Sequence, residues 1–303
     1  IIQHSALLFR FSMKKFLRLS VMLLRSLTGC GSSGQKNSEK LSVVASFYPM
    51  AEFSRAVGGN LVEVVTLVPD GAEPHDWEPS PRDLTRLGRA KIFVYNGIVE
   101  PWAETSLEAV KERKILGVEA GRGLYQIDGK ADPHVWISPK QAIQEVEAIS
   151  KAFCQVDAKN QEAYKKNAAL YIDQLKKLDQ ELAGVVQNAQ RKTFVTSHRA
   201  FSHVAKDYGL RQMSISGLSP EAEPTPKDLK NLVGLVQKEK VKYIFFETLA
   251  SPKLAQLLAK ETGAQTGVLD PIEGLDEAGR KAGLNYLKIQ KQNVESLKKA
   301  LTE

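Results

Sequence analysis

The sequence predicts an α/β protein with two pseudo-symmetric lobes, in which helices flank parallel sheets and one long rigid helix joins the lobes. Short β-branched runs alternate with amphipathic helical patterns, and four candidate strands lie on each side of residue 150. Alternation of this kind is typical of parallel sheets, whose crossovers contain helices. We therefore divide the body into an N-terminal lobe at 41–150, a linking helix region at 151–190 and a C-terminal lobe at 191–303.

The candidate strands are short runs rich in Val, Ile, Phe and Thr. They are Ser42–Phe47, Val62–Val68, Lys91–Tyr95, Lys114–Val118, Thr193–Thr196, Gln212–Ser216, Val241–Phe246 and Thr266–Leu269. Four helix starts are indicated by a hydroxyl residue followed by proline, which suits the cap and the first helical position. These pairs are Ser80-Pro81, Ser138-Pro139, Thr225-Pro226 and Ser251-Pro252.

The linking helix is predicted over Ala158–Leu182, which contains neither glycine nor proline. Its apolar residues recur at steps of three and four, the pattern of one buried stripe. The stripe consists of Tyr164, Ala168, Tyr171, Leu175, Leu178, Leu182 and Val185. At about 1.5 Å per residue such a helix is roughly 37 Å long, so we expect it to restrict hinge motion between the lobes.

Composition indicates a globular body that is not a nucleic-acid binder. The 303 residues are 43% hydrophobic and 25% charged, with a formal net charge of +7. Five of those excess positive charges lie in residues 1–30, which contain no acid, so residues 31–303 carry only +2. A nucleic-acid partner requires a strongly basic face, and we predict none.

Residues 1–30 resemble a lipoprotein signal segment. Lys14 and Lys15 precede the mostly apolar run Phe16–Leu24, and Leu27-Thr28-Gly29-Cys30 resembles a lipoprotein cleavage box. The sequence contains no run of about 20 apolar residues, so it predicts no membrane-spanning helix. We expect lipid attachment at Cys30, a flexible Gly/Ser-rich tether at 31–40, and a monomer on the extracytoplasmic face of the membrane.

Three of the five histidines lie in irregular segments near the ends of candidate strands. They are His75 in Pro74-His75-Asp76-Trp77, His134 in Pro133-His134-Val135-Trp136, and His198 in Ser197-His198-Arg199-Ala200. Three neutral imidazoles and one carboxylate form a tetrahedral set that suits zinc. We therefore predict that these histidines converge on one transition-metal site, for which zinc is the ion that the geometry suits.

The fourth ligand is left open by the residues alone. Asp270 follows the last candidate strand and is the first choice, while Glu247 and Glu73 are competitors. Partners that orient the imidazoles are also expected, because ligating histidines usually donate their second ring N–H to a neighbouring oxygen. The candidates for this role are Glu73, Asp76, Glu223 and Glu247. His203 lies five residues after His198, so on a helix it faces about 140° away from it.

Several motifs together resemble the zinc and manganese solute-binding lipoproteins of bacterial ABC importers, the cluster A-I or ZnuA/TroA-like receptors. They are Ser46-Phe47-Tyr48-Pro49, Gly71-Ala72-Glu73-Pro74-His75-Asp76-Trp77-Glu78-Pro79, Asn96-Gly97, Asp132-Pro133-His134-Val135-Trp136, Thr196-Ser197-His198-Arg199-Ala200-Phe201, Ser219-Pro220-Glu221-Ala222-Glu223-Pro224 and Phe246-Glu247. The resemblance implies two α/β lobes, a rigid linking helix, one ion in the cleft, and an ABC-type permease as partner. It implies ligands at His75, His134, His198 and Asp270.

The third ligand position indicates which metal the resemblance favours. Manganese-preferring members tend to carry Glu there, whereas this chain has His198, and nitrogen donors shift preference toward zinc. The chain lacks the long His-rich loop of many zinc members, since 119–132 is short and contains no histidine. Pro74 precedes His75 where some members have a ligating Glu, which favours Asp270 as the fourth ligand and leaves a water molecule as the alternative.

We expect a zinc-binding protein rather than an enzyme, and three other functions are alternatives. A zinc-dependent hydrolase would need an open coordination position for water, and the sequence has no His-Glu-x-x-His helix. The others are a manganese-binding receptor and an adhesin lipoprotein that binds host partners through its outer faces.

Overall fold

The computed structural model describes residues 40–220 and 224–303. Residues Lys40–Glu303 form one compact unit. The predicted signal segment, the Cys30 anchor, all of the 31–40 tether but its last residue, and Glu223 lie outside the described residues. Among the described helices, none is both long and apolar enough to cross a membrane.

The N-terminal lobe contains one parallel four-stranded sheet with helices between its strands. Its elements are β1 (Leu41–Ala45), α1 (Tyr48–Gly58), β2 (Val62–Thr66), α2 (Pro81–Leu87), β3 (Ile92–Tyr95), α3 (Ala103–Ala109), β4 (Leu116–Glu119), β5 (Gln126–Ile127), β6 (Lys130–Ala131) and α4 (Pro139–Val156). The sheet order is β2-β1-β3-β4, and β5 and β6 form a separate antiparallel hairpin.

The C-terminal lobe contains a second parallel four-stranded sheet. Its elements, after the linking helix α5 (Gln161–Gln187), are β7 (Thr193–Thr196), α6 (Ser202–Tyr208), β8 (Arg211–Ser214), α7 (Pro226–Lys238), β9 (Tyr243–Phe246), α8 (Lys253–Thr262), β10 (Gln265–Val268), α9 (Glu277–Lys281) and α10 (Tyr286–Thr302). The sheet order is β10-β9-β7-β8.

The two sheets have the same topology, which confirms the predicted pseudo-symmetry. In each sheet the first strand of the lobe lies between the second and third strands, and the fourth lies beyond the third. All eight predicted strands are present. The apolar runs of β3 and β7 are buried throughout, as expected of parallel strands covered by helices on both faces, whereas β10 is largely exposed. Polar residues that follow the carboxyl ends of such strands lie at one edge of each sheet.

The linking helix α5 packs into the core rather than standing free. Its buried stripe includes Tyr164, Tyr171 and Leu182, as the periodicity predicts, and the stripe ends at Val186 where Val185 was expected. Its 27 residues span about 40 Å. One hydrophobic cluster contains this stripe together with residues of both sheets, such as Val43 and Phe194. The helix therefore links the lobes through shared packing.

Two of the four predicted caps have the full expected geometry. Ser80 and Thr225 each accept a hydrogen bond from the backbone three residues later, and the Asp there bonds back to the cap. Ser138 precedes a helix that begins at Pro139, but its hydroxyl donates to Asp207 instead. The Ser251 prediction is wrong by one residue, since α8 begins at Lys253.

Candidate metal site

The three predicted histidines converge on one point between the lobes. His75 Nε2 lies 3.2 Å from His134 Nε2, which lies 3.3 Å from His198 Nε2. The fourth group there is Glu273, whose Oε1 lies 3.4 Å, 3.6 Å and 3.5 Å from the same three nitrogens. All four donor atoms lie within 4.8 Å of one another.

These spacings match a tetrahedron around a zinc ion. Zinc–nitrogen and zinc–oxygen bonds of about 2.0–2.1 Å place tetrahedral ligands about 3.3–3.4 Å apart. The carboxylate atom Oε1 of Glu273 has no hydrogen-bond partner among the described residues although it is buried. Imidazole lone pairs and an unpaired carboxylate oxygen facing one another at this range are stable only with a proton or a cation between them.

The four donors differ in exposure. The side chains of His134 and His198 are fully buried, and that of Glu273 is 1% exposed. The His75 side chain is 11% exposed and lies in the irregular loop between β2 and α2. His75 is therefore the donor nearest to solvent, and an ion held by all four would be almost completely enclosed.

Asp270 does not belong to this group, so the prediction that it supplies the fourth donor disagrees with the geometry. Its Oδ1 accepts a 2.7 Å hydrogen bond from the Ile272 backbone N–H, and its Oδ2 accepts one of 2.8 Å from Thr248. The Asn293 side chain makes two hydrogen bonds to the Asp270 backbone: Oδ1 accepts from the Asp270 N–H at 2.9 Å, and Nδ2 donates to the Asp270 carbonyl at 2.7 Å. Burial raises the pKa of Asp270 to about 6 despite these bonds.

Asp270 instead shapes the turn that places Glu273. Ile272 has φ of 59°, a left-handed conformation that β-branched residues rarely adopt. Such strain costs about 1–3 kcal/mol and persists where surrounding contacts fix the backbone. The Asp270 carboxylate supplies such a contact through the Ile272 N–H. The side chain that faces the histidines is that of Glu273, three residues after Asp270.

His198 is oriented by Glu247, which was one of the expected partners. Glu247 Oε2 lies 2.7 Å from His198 Nδ1, and Oε1 accepts a 3.1 Å hydrogen bond from the His198 backbone N–H. Burial lowers the pKa of His198, but Glu247 and Glu273 outweigh it and raise the pKa to about 10. Without a metal, the His198 ring is therefore a positively charged imidazolium, protonated on both nitrogens, at neutral pH.

His134 is oriented by Asp132, which sequence reasoning did not assign to this role. Asp132 Oδ1 lies 2.8 Å from His134 Nδ1 and accepts a 3.1 Å hydrogen bond from its backbone N–H. The hairpin turn at Asp128 and Gly129, both left-handed, precedes this segment as a type I′ turn would. The signal in the sequence was an acid two residues before the histidine.

The other three expected partners were Glu73, Asp76 and Glu223. Glu73 Oε1 accepts a 3.2 Å hydrogen bond from the His75 backbone N–H, and burial with the nearby Glu273 raises its pKa to about 7. It steadies the loop and is not one of the four donors. Asp76 is exposed, so its orienting role gains no support from the geometry. Glu223 lies outside the described residues.

The carboxylate of Glu273 interacts with all three imidazoles. Burial raises its pKa, but the three facing rings outweigh that effect and hold the pKa well below its usual range. The same carboxylate raises the pKa of His75 although burial lowers it. A buried anion therefore faces three imidazoles, and protons on His75 and His198 compete with a divalent cation for the site.

Comparison with known proteins shows that the chain is similar to components of zinc-uptake systems. The family model described as the periplasmic component A of a zinc-uptake complex, ZnuA, matches residues 43–300. The high-affinity zinc uptake system protein ZnuA of Bacillus subtilis is 38% identical over 295 residues, covering 90% of this chain and 92% of that protein. The zinc-binding lipoprotein AdcA of Streptococcus pneumoniae is 38% identical over 305 residues. The chain spans only 61% of that longer relative.

Solved structures give the same result. The Zn(II)-bound ZnuA-like domain of Streptococcus pneumoniae AdcA is 41% identical with a TM-score of 0.79, covering 87% of this chain and all of that domain. The laminin-binding protein Lmb of Streptococcus agalactiae, described as a bifunctional protein with adhesin and metal transporting activity, is 35% identical with a TM-score of 0.80. That match covers 86% of this chain and 99% of Lmb.

Proposed function

The chain belongs to the ZnuA family of zinc-uptake components, and from this premise we propose that it captures one Zn²⁺ ion between its lobes and delivers it to an ABC-type permease. The observation that carries the proposal is the near-tetrahedral set of His75, His134, His198 and Glu273. Three nitrogen donors and one oxygen donor suit zinc better than manganese, which favours oxygen ligands. Glu273 is the fourth ligand in this proposal, and Asp270 holds the turn before it.

The same donor set favours binding over catalysis. A catalytic zinc site keeps one position open for water, whereas four protein ligands close the tetrahedron. We therefore infer that zinc is cargo here and that the chain is not a hydrolase. A zinc-dependent esterase or peptidase turnover by the purified chain, lost on chelation and restored by zinc, would contradict this inference.

Native mass spectrometry with metal analysis tests the binding proposal. The full chain should hold one Zn²⁺ per molecule, and His134→Ala should hold none under the same conditions. Asp76→Asn is a matched control, since Asp76 is exposed and adjacent to His75. A chain that binds no zinc, or a His134→Ala variant that binds it as tightly as the wild type, would contradict the proposal.

Delivery and location need cell-based tests. Cells that lack this chain should grow poorly when zinc is chelated, and the wild type but not His134→Ala should restore growth. A lipid anchor at Cys30 is proposed from the cleavage-box pattern Leu27-Thr28-Gly29-Cys30. Cys30→Ala should move the protein from the membrane fraction to the soluble extracytoplasmic fraction. Retention of that variant in the membrane would remove the anchor from the proposal.

A second candidate function is adhesion, favoured by the similarity to Lmb. Binding of laminin by the purified chain would support it. Retention of that binding in His134→Ala would separate adhesion from zinc capture, and absence of laminin binding at micromolar concentration would end the candidacy.

A further inference from the structure

The residue whose carboxylate orients His134 is itself contacted by the C-terminal lobe. Asp132, which contacts His134, receives a hydrogen bond on its backbone carbonyl from His203 Nε2 at 2.9 Å. His203 lies on α6 and is 2% exposed. Arg199 Nε also approaches Asp132 Oδ2, at 4.0 Å. Both residues follow the ligand His198 closely in the chain.

The His203 contact has a defined chemical direction. A carbonyl oxygen only accepts, so the Nε2 atom must carry the proton and donate. Burial lowers the pKa of His203, which favours the neutral ring, and the hydrogen bond to the Asp132 carbonyl places the single ring proton on Nε2. A neutral buried ring that donates to a buried carbonyl satisfies both groups without placing another charge beside the metal site.

The orientation of the Asp132 peptide, which accepts the His203 hydrogen bond, affects the position of His134. The Asp132 carbonyl belongs to the peptide bond that joins Asp132 to Pro133. Two hydrogen bonds fix this segment: the Asp132 N–H donates to the Tyr125 carbonyl at 2.8 Å, and the Val135 N–H donates to the Pro133 carbonyl at 2.8 Å. Rotation of the Asp132 peptide would move the side chain whose Oδ1 is 2.8 Å from His134 Nδ1. The imidazole would then lose its fixed orientation toward the other donors.

We propose that His203 is a positioning residue for zinc binding, which fixes the Asp132 peptide and thereby the orientation of His134 from the opposite lobe. The proposal rests on the proposed zinc-binding function. It assigns to α6 a role beyond packing, because the same segment supplies His198 and stabilises its partner ligand across the lobe boundary.

The test compares three variants of the full chain. His203→Leu removes the donor, His203→Gln retains an N–H donor at a similar position, and Val204→Ala is the matched control. Val204 is buried on the same helix, 2% exposed, and its shortened side chain loosens α6 without removing the hydrogen bond to Asp132. The midpoint of thermal unfolding of each metal-free variant measures the general damage.

Two readouts report on the site itself. Zinc dissociation is followed with a fluorescent chelator, and the visible d–d spectrum of the Co²⁺-substituted chain reports on ligand geometry. Loss of a direct partner of a ligand typically costs about 10–100-fold in affinity, and His203 acts one contact further out. We expect His203→Leu to speed dissociation about 3–10-fold and to shift the Co²⁺ spectrum, with both changes reversed in His203→Gln and absent in Val204→Ala.

Each outcome decides the proposal. Wild-type dissociation and spectrum in His203→Leu would overturn it, as would a defect that Val204→Ala reproduces or that His203→Gln does not restore. Should His203→Leu fail to fold, ¹H–¹⁵N spectroscopy of the wild type decides, since a ring protonated at Nδ1 instead of Nε2 overturns the proposal. Failure of the wild type to bind one Co²⁺ ion would contradict the proposed zinc function instead.

Discussion

Replacing Glu273 with Gln tests the assignment of the fourth ligand most directly. The change keeps the shape of the side chain but removes the only negative charge among the four donors. Asp270→Asn is the matched control, because Asn retains an oxygen that can accept from the Ile272 N–H. Because Glu273 faces the three histidines and Asp270 does not, the two neighbouring substitutions should have very different effects on zinc affinity.

The expected magnitude follows from the contacts. Loss of a partner that merely orients a ligand costs about 10–100-fold in metal affinity, so loss of a ligand charge should exceed that range. We expect Glu273→Gln to weaken zinc binding by at least about 100-fold, equivalent to about 2.7 kcal/mol. Asp270→Asn should lose less than about tenfold, since it acts only through the turn.

The deficit of Glu273→Gln should also depend on pH. Burial lowers the pKa of His198, and Glu247 and Glu273 together raise it to about 10. Without Glu273 that pKa falls, so fewer protons compete with zinc at neutral pH and part of the loss is offset. The deficit relative to the wild type should therefore be larger near pH 9 than near pH 7.

Competition titrations against a chelator of known affinity at both pH values provide the assay. The midpoint of thermal unfolding of each metal-free variant shows whether the fold is intact. Equal zinc affinity of wild type and Glu273→Gln, or a loss in Asp270→Asn as large as that in Glu273→Gln, would refute the assignment of Glu273.

Three further predictions concern the same site. Because the raised pKa of His198 keeps its ring protonated below about pH 10 without metal, zinc binding should release at least one proton. The apparent affinity should then rise by about tenfold per pH unit from pH 6.5 to 8.5. Calorimetry in buffers of different ionisation enthalpy counts these protons, and a pH-independent affinity would disprove the exchange. His198→Glu should shift preference from zinc toward manganese, since it exchanges a nitrogen donor for an oxygen donor; unchanged selectivity in paired titrations would remove this argument. Zinc loading should tilt the lobes by less than about ten degrees, and metal-free and zinc-bound crystal structures that differ by tens of degrees would contradict a stiff link through α5.

The fold could be predicted from the sequence because its signals are local and redundant. Eight apolar β-branched runs, two capping boxes and one uninterrupted stripe each follow from the spacing of residues along the chain. The position of His198 just after β7 was also predictable, since strand ends meet at one edge of a parallel sheet. These features need no knowledge of which atoms face one another.

The carboxylates around the site could not be assigned in this way. Asp270 and Glu273 both follow β10, and only the left-handed Ile272 between them decides which one faces the histidines. Nothing in the sequence marks a β-branched residue for that conformation. The orienting role of Asp132 likewise depends on the hydrogen bond between its side chain and His134 Nδ1, which spacing along the chain does not reveal. An acid two residues before His134 is nevertheless a pattern that could have drawn attention to it.

Hydrogen bonds that cross between the lobes exist without any ion. Trp136 Nε1 donates to the Pro271 carbonyl at 2.8 Å, Gln290 donates to the Ile137 carbonyl at 2.8 Å, and His203 donates to the Asp132 carbonyl at 2.9 Å. Each joins the segment carrying His134 to the opposite lobe. His134 is therefore held in place by protein contacts before zinc arrives, and Glu247 orients His198 in the same way. Their orientation is part of the fold, so little of the binding free energy need be spent on ordering the site.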